Sequence, residues 1–243
     1  MQVDAMNVVW RTRTTWEGCD LGVRLLQSSL RSTFRCYLSL ALPLFLLCAA
    51  TFQIAPWLPV LLIWLSKPWL DRSILFALSR SLFGTTTTPG DLWCSQRTVW
   101  WSQLLQTLTL RRLSASRAFT QPIIQLEGLK GAPLRARITQ VATRHRAAAR
   151  FMTQAFAAAE LALCASLYGL QFWLAPHHGT TDWDDLRALA GPAQSGLAIL
   201  YYVVAVSFLE PFYVAAGFGM YLNRRVELEA WDIEQEFRRA FAA

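Results

Sequence analysis

Cys36-Tyr-Leu-Ser-Leu-Ala-Leu-Pro-Leu-Phe-Leu-Leu-Cys-Ala-Ala-Thr-Phe-Gln-Ile-Ala-Pro-Trp-Leu-Pro-Val-Leu-Leu-Ile-Trp-Leu-Ser66 lies between Arg35 and Lys67, a run of 31 residues without one charged side chain. About 20 apolar residues cover the ~30 Å hydrocarbon core of a bilayer, so this run reads as membrane-embedded. As one straight helix it would reach about 46 Å, at about 1.5 Å per residue, well past that core. A single crossing would also separate Arg24, Arg31 and Arg35 from Lys67, Arg72 and Arg80. A hairpin turning near Gln53–Pro56 keeps all six on one side, and Pro56 and Pro59 suit the start of a second helix, where a missing N–H costs little. Both arms are short, so a shallow re-entrant pair stays open beside a double crossing.

Two later runs are nearly as free of charge. Phe151 to Thr181 contains only Glu160, and Ala188 to Asn223 contains only Glu210. They read as a third span (151–175) and a fourth (193–222) flanking an acidic external loop (176–191). A hydrophobic content of 54 % and 11 Trp are high for a soluble protein, while a mean hydropathy of only +0.28 leaves a substantial polar part outside the bilayer. The net charge of +7 is unevenly distributed. Residues 67–150 carry a net +10, whereas residues 151–243 carry a net −5. Basic residues beside apolar spans are what the positive-inside rule expects of cytoplasmic segments, so the arginine-rich flanks and both chain ends read as cytoplasmic. A nucleic-acid role has no motif or aromatic platform behind it. The first apolar run begins near Tyr37 and reads as a span, with no cleavage site in the manner of a secretory signal. The five cysteines form no CxxC pair and no metal-like spacing, which argues against structural disulfides.

Around the spans, shorter helices follow from periodicity. Thr14 and Glu17 have the spacing of a capping box, and Trp16, Cys19, Val23, Leu26, Leu30 and Phe34 recur every three to four residues. This predicts an amphipathic helix over 14–35, after a loose arm, running into the first hairpin at 37–69. In the basic segment 70–150, Asp71 and Asp91 read as helix caps, the second opening a helix with Leu92, Trp93, Trp100, Leu104 and Leu108 on one face. Gly84 to Gly90 reads as a loop and Arg111 to Gly131 as an irregular connection. From Leu134 a basic helix is expected to continue without a break into the third span. A C-terminal amphipathic helix (224–243) has Val226, Ala230, Ile233, Phe237 and Phe241 on one stripe and five acids between Val226 and Glu236. A helix lying on a membrane surface is normally basic on its polar face, so docking onto the chain's own arginine-rich segment is the expected fate of this one.

Four stretches carry a family resemblance: Trp16-Glu-Gly-Cys-Asp-Leu-Gly22, Leu65-Ser-Lys-Pro-Trp-Leu-Asp-Arg72, Gln125-Leu-Glu-Gly-Leu-Lys-Gly131, and Glu210-Pro-Phe-Tyr-Val-Ala-Ala-Gly-Phe218 with Tyr221-Leu-Asn-Arg-Arg-Val-Glu-Leu-Glu-Ala-Trp-Asp-Ile-Glu234. Together they resemble an uncharacterised family of proteobacterial inner-membrane proteins encoded near MoxR-type AAA ATPases. Longer members of that family continue into an additional C-terminal domain of unknown function. The resemblance implies a bacterial inner-membrane location and a place in an AAA-ATPase-linked envelope system. It supplies no catalytic residue.

Glu160 and Glu210 are the sharpest candidate sites. A charged group at the centre of a span costs on the order of 2.5–3.5 kcal/mol on insertion scales unless it is paired, protonated or facing water. They read either as a proton, cation or polar-substrate site or as structural hydrogen-bond acceptors. The third span also carries Ala155, Ala159, Ala162, Ser166 and Gly169 on one face, which predicts close packing and a central position in the bundle. His177, His178 and Asp182 could ligate a metal on the external loop, although their spacing matches no standard set and a solvated loop is the simpler reading. Arg111, Arg112, Arg144 and Arg146 on one side, and Glu227, Glu229 and Glu234 on the other, are the candidate docking charges. No phosphate loop, nucleophile elbow or H-E-x-x-H motif is present, and nothing calls for a cofactor.

The sequence therefore predicts an all-α integral membrane protein with four membrane helices in two hairpins and amphipathic cytoplasmic helices. The expected function is a non-enzymatic membrane component or docking scaffold with a membrane-complex protein as partner. The alternative is a small-solute, lipid or proton-coupled transport element using Glu160 and Glu210.

Overall fold

The computed structural model describes residues 13–96, 99, 115–174 and 192–229. Among them every regular element is helical. In chain order these are α1 (Thr15–Ser28), α2 (Leu30–Ala50), α3 (Leu58–Ser81), α4 (Pro89–Cys94), α5 (Arg117–Leu126), α6 (Gly131–Ala142), α7 (Arg146–Leu174) and α8 (Pro192–Glu229). Three stretches are long and apolar enough to cross a membrane: Leu30–Gln53, Arg146–Gln171 and Ser195–Glu229. Helix α3 does not qualify on composition, because Lys67, Asp71, Arg72 and Arg80 lie within it.

Helix α1 starts with the expected capping box. The Glu17 amide donates to Thr14 Oγ1 at 3.4 Å and the Thr14 amide to Glu17 Oε2 at 3.0 Å. It does not run on into α2, however. The chain breaks at Ser29, where the backbone leaves the helical region and the Ser29 side chain bonds back to the Leu25 carbonyl. The break lets α1 fold onto α8, the most extensive helix pairing in the molecule. Its packing face is built on glycine. A Cβ at Gly22 would overlap the Ala215 carbonyl, and one at Gly219 would overlap the Gly18 carbonyl. Gly18 and Gly22 on α1 thus meet Ala215, Gly219 and Asn223 on α8, both series spaced by four. Such small-residue seams let two backbones approach closely.

Helices α2 and α3 pack against each other, joined by a short 3₁₀ turn at Thr51–Gln53, where the sequence places the turn. Helix α3 is longer than the predicted arm. Asp71 opens no new helix: the second arm and the supposed short helix after it are one continuous element through Pro68, and Asp71 is 1 % exposed inside it. Helix α4 is capped by Thr88, with Asp91 as the reciprocal third residue and not the cap itself. Trp100, Leu104 and Leu108 lie outside the described residues.

Three other expectations change. The stretch read as irregular contains α5, whose buried face is Ala118, Phe119, Gln121, Pro122 and Ile123. The basic helix does not continue into the third span: α6 ends at Ala142, Arg144 takes φ 70°, and α7 begins at Arg146. The last span and the helix after it are one element, since α8 passes through Asn223, Arg224 and Arg225 to Glu229 without interruption. Residues 230–243, with Ala230, Ile233, Phe237 and Phe241, lie outside the described residues.

The centre of the molecule is the second half of α8. Nearly every residue from Glu210 to Asn223 is buried, surrounded by α1, α2, α3, α5 and α7. The third span was the expected centre, but α7 is peripheral. Ala155, Ala159, Ala162, Ser166 and Gly169 all face outward, and only the opposite side of α7, with Met152 and Phe156, meets the bundle. Exposed large apolar side chains include Leu46, Leu47, Ile54, Trp57, Trp64, Leu161, Trp173, Leu200 and Phe208. They belong to the charge-free parts of α2, α3, α7 and α8 and to the connection between α2 and α3. Arg24, Arg31, Arg35, Arg135, Arg144, Arg146 and Arg150 are exposed on the segments that flank those parts.

Candidate functional site

Lys67 comes one turn before Asp71 on an otherwise apolar helix, so both side chains leave the same face of α3. That face points into the bundle. The Lys67 ammonium lies 2.6 Å from Glu160 Oε2 on α7 and 2.8 Å from Glu210 Oε2 on α8. The two carboxylates singled out by sequence in apolar helices thus share one cation. The second cation is Arg117, at the start of α5, whose Nη2 donates to Glu210 Oε1 at 2.7 Å. Its Nε lies 2.9 Å from Asp71 Oδ2, although not aligned for a hydrogen bond. The guanidinium also stands over the Tyr213 ring, 5.3 Å from its centroid. Burial disfavours the Arg117 charge, yet Asp71 and Glu210 beside it hold the guanidinium protonated above its ordinary range.

Four elements therefore meet at a chain of five charges, Glu160–Lys67–Glu210–Arg117–Asp71. Three carboxyl groups share two cations, which leaves the cluster one negative charge in excess when all are ionised. The imbalance is felt at Asp71, which has no hydrogen-bond donor aligned on either oxygen among the described residues and lies against the Glu210 carboxyl, where one shared proton would join the two acids. Close by, the fully buried Tyr37 hydroxyl also lacks a hydrogen-bond partner among the described residues. Unsatisfied buried groups of this kind cost on the order of 1–3 kcal/mol each.

The cluster forms the floor of a cavity of about 590 Å³ between α3, α7 and α8. Its walls differ from end to end. Trp57, Leu61, Trp64 and Leu161 are apolar and exposed at the mouth. Lys67, Glu160, Glu210, Arg117 and the hydroxyls of Thr153, Tyr202 and Tyr213 line the deeper part. Glu160 is the most accessible of the acids, its side chain 16 % exposed against 3 % for Glu210 and 1 % for Asp71.

A second polar cluster ties the arginine-rich end together. Arg137 on α6 donates to Glu127 at 2.9 Å and to Glu229 at 2.7 Å, while Arg225 pairs with Glu229 at 2.6 Å. Tyr221 donates to Glu127 at 2.9 Å. Glu227 pairs with Arg224 at 2.7 Å and lies 3.5 Å from His145 Nε2. Among the candidate docking charges, Glu227 and Glu229 are thus engaged within the chain, but with Arg137, Arg224, Arg225 and His145. Arg144 and Arg146 make no ion pair among the described residues. Arg111, Arg112, Glu234, His177, His178 and Asp182 lie outside the described residues, which contain no metal-like group of His, Cys, Asp and Glu.

Lys67, Asp71 and Arg117 are the site residues that sequence reading missed. In the sequence Lys67 reads as a flank of the apolar run and Asp71 as a cap. The available signal was the spacing of four between Lys67 and Asp71 at the end of an apolar run. The four stretches that carry the family resemblance also come together in space. Gly18 and Gly22 pack on α8, Lys67 and Asp71 join the charge chain, and the Gln125 amide donates to the Arg72 carbonyl at 3.0 Å. The chain matches no protein-family model, no curated protein and no solved structure.

Proposed function

We propose that this chain is a multi-span membrane component that holds an amphiphilic molecule in the cavity between α3, α7 and α8. The observation that carries the reading is the cavity itself, an apolar outward mouth leading to a floor of paired charges. Its volume of about 590 Å³ falls within the range of about 300–1,000 Å³ usual for small-molecule sites. The tail of the amphiphile lies along Trp57, Leu61, Trp64 and Leu161. Its polar end meets Glu160 and the hydroxyls beside it. With all three carboxyls ionised, the excess negative charge favours a head group that donates hydrogen bonds or carries a positive charge. A proton completes the charge balance equally well, so a proton-coupled transport element is the second reading, supported by the donor-free Asp71 carboxyl.

The reading includes four crossings, with α3 as the second, in a bacterial inner membrane, the arginine-rich end and both termini on the cytoplasmic side. Support for α3 comes from the direction of its charges. Lys67, Asp71 and Arg72 are buried, while Leu61 and Trp64 face outward, so its outer surface is apolar along that arm. An envelope setting beside an AAA ATPase, as the resemblance implies, would add a protein partner. Pull-down from native membranes tests that separately.

The test of the cavity uses a phospholipid analogue with a diazirine in its acyl chain, incorporated into nanodiscs with the full-length protein. Photolabelling should concentrate on peptides containing Leu61, Trp64 and Leu161, and Ala157→Trp should reduce it there. Labelling spread evenly over the outward face of α7, unaffected by Ala157→Trp, would remove the binding reading.

A further inference from the structure

We infer that Arg144, Arg146 and Arg150 form a binding site for the phosphate of an anionic phospholipid, separate from the cavity between α3, α7 and α8. All three are exposed, and none makes an ion pair or hydrogen bond among the described residues. Arg146 and Arg150 stand one turn apart on α7 and are shared by two adjoining concavities. One, of about 440 Å³, is also lined by Arg144, Thr139 and Thr143. The other, of about 340 Å³, is walled by Ile124, Ile138, Ser116 and Thr120.

The left-handed turn at Arg144 is what gathers the three. Had α6 continued into α7 as one helix, positions 144 and 146 would lie about 200° apart around its axis. The break brings Arg144 into the same concavity as its neighbours. A left-handed backbone at a residue with a Cβ costs on the order of 1–2 kcal/mol. It is fixed from both sides, the His145 amide donating to the Ala142 carbonyl at 3.2 Å and the His145 ring meeting Thr15 Oγ1 at 2.9 Å.

The ligand class follows from position and chemistry. Guanidinium forks match phosphate oxygens in pairs, and two forks one helical turn apart can grip one phosphate from two sides. Arg150 immediately precedes Phe151, which is 61 % exposed and packs edge-on against the half-exposed Trp16, ring centroids 5.7 Å apart. Exposed aromatic rings beside cations at the end of an apolar span mark head-group depth in a bilayer. The isoleucine-walled concavity next to the arginines offers apolar surface for the glycerol end of the acyl chains. A lipid phosphate therefore fits better than a free ion or an acidic protein.

The test compares the full-length protein in nonionic detergent with phosphatidylglycerol and with phosphatidylcholine, by native mass spectrometry and thermal melting. Wild type should retain phosphatidylglycerol adducts and melt higher with that lipid, and show neither effect with phosphatidylcholine. The triple variant R144Q/R146Q/R150Q should bind phosphatidylglycerol about tenfold more weakly or worse, a loss of about 1.4 kcal/mol or more. R24Q/R31Q/R35Q, which removes the same number of exposed charges elsewhere, should bind as wild type does. Equal loss in both triple variants would overturn the site in favour of unspecific charge attraction. Displacement of the lipid by millimolar inorganic phosphate would overturn the lipid assignment. Should the first triple variant fold poorly, R146K/R150K keeps the charge and loses the forks; wild-type binding by that variant would equally overturn the proposal.

Discussion

At the scale of single residues, Lys67 decides more than either carboxylate. It is the sole described cation in contact with Glu160, and removing it leaves three acids facing Arg117 alone. Breaking a buried ion pair from one side typically costs about 3–5 kcal/mol, because the abandoned charge stays buried. Lys67→Met should therefore lower the melting temperature in detergent strongly or prevent folding. Glu160→Gln should cost only about 1 kcal/mol, since the amide oxygen still accepts from Lys67 and one excess negative charge is removed. The reverse ranking, with Lys67→Met the milder change, would show that the charge chain does not hold the helices together. Glycine offers a second contrast. Gly22→Ala drives a methyl group into the Ala215 carbonyl and should cost about 1–3 kcal/mol, whereas Gly169→Ala meets open space. The latter should be neutral or stabilising by up to about 1 kcal/mol through helix propensity. Similar melting shifts for the two would mean that α1 does not rely on its glycine seam.

Among the elements, the junction between α6 and α7 is where pH should act. Burial lowers the His145 pKa, and the nearby Arg224 and Arg144 act in the same direction, while Glu227 opposes them. In the unfolded chain the imidazole titrates near its ordinary value of 6.5. The folded state thus binds the proton less readily than the unfolded state. The sign is then fixed: stability is complete above 6.5 and falls as pH drops from there through the lower folded value. Thermal melting should show this loss as pH drops below 6.5, before ordinary carboxylates titrate. His145→Gln should flatten that part of the profile. An unchanged slope in the variant would assign the loss to other groups. The same junction orders Arg144, so weakened lipid binding by His145→Gln would tie the two effects together.

For the whole molecule, the question is whether the α2–α3 hairpin crosses the membrane. Ile54 sits at its tip and is 78 % exposed, while Thr85 lies beyond the other end of α3. Helix α3 has 24 residues, about 36 Å of length, enough to cross the hydrocarbon core with its polar end submerged in the bundle. In a variant without the native cysteines, Ile54→Cys should react with a membrane-impermeant thiol reagent in intact cells, and Thr85→Cys only after the membrane is opened. Labelling of both positions at the same stage would put the tip and the base of the hairpin on one side, which is the re-entrant arrangement. The peripheral position of α7 is the other large-scale feature. Its small residues face outward, and the helix is attached to the bundle through Met152, Phe156, the Glu160–Lys67 pair, and the Thr153–Tyr213 and Gln171–Tyr201 hydrogen bonds.

Charge patterning alone determined that this chain is helical with stretches long and apolar enough to cross a membrane, and it located the turn near Gln53 and the two isolated glutamates. These features are legible because a bilayer penalises each exposed charge by itself, whatever surrounds it. The break at Ser29, the continuity of α3 through Asp71 and the break at Arg144 were not legible. Each depends on a contact made from elsewhere, such as the glycine seam on α8 or the Thr15–His145 hydrogen bond. Read in the sequence, Lys67 is a flank, Asp71 a cap and Arg117 one arginine among many. Only packing turned α3 so that its charged face looks inward and brought Arg117 from a distant helix to meet it. A lone acid in an apolar run shows that a partner is needed; which cation supplies it, and what cavity opens beside the pair, is decided where four helices cross.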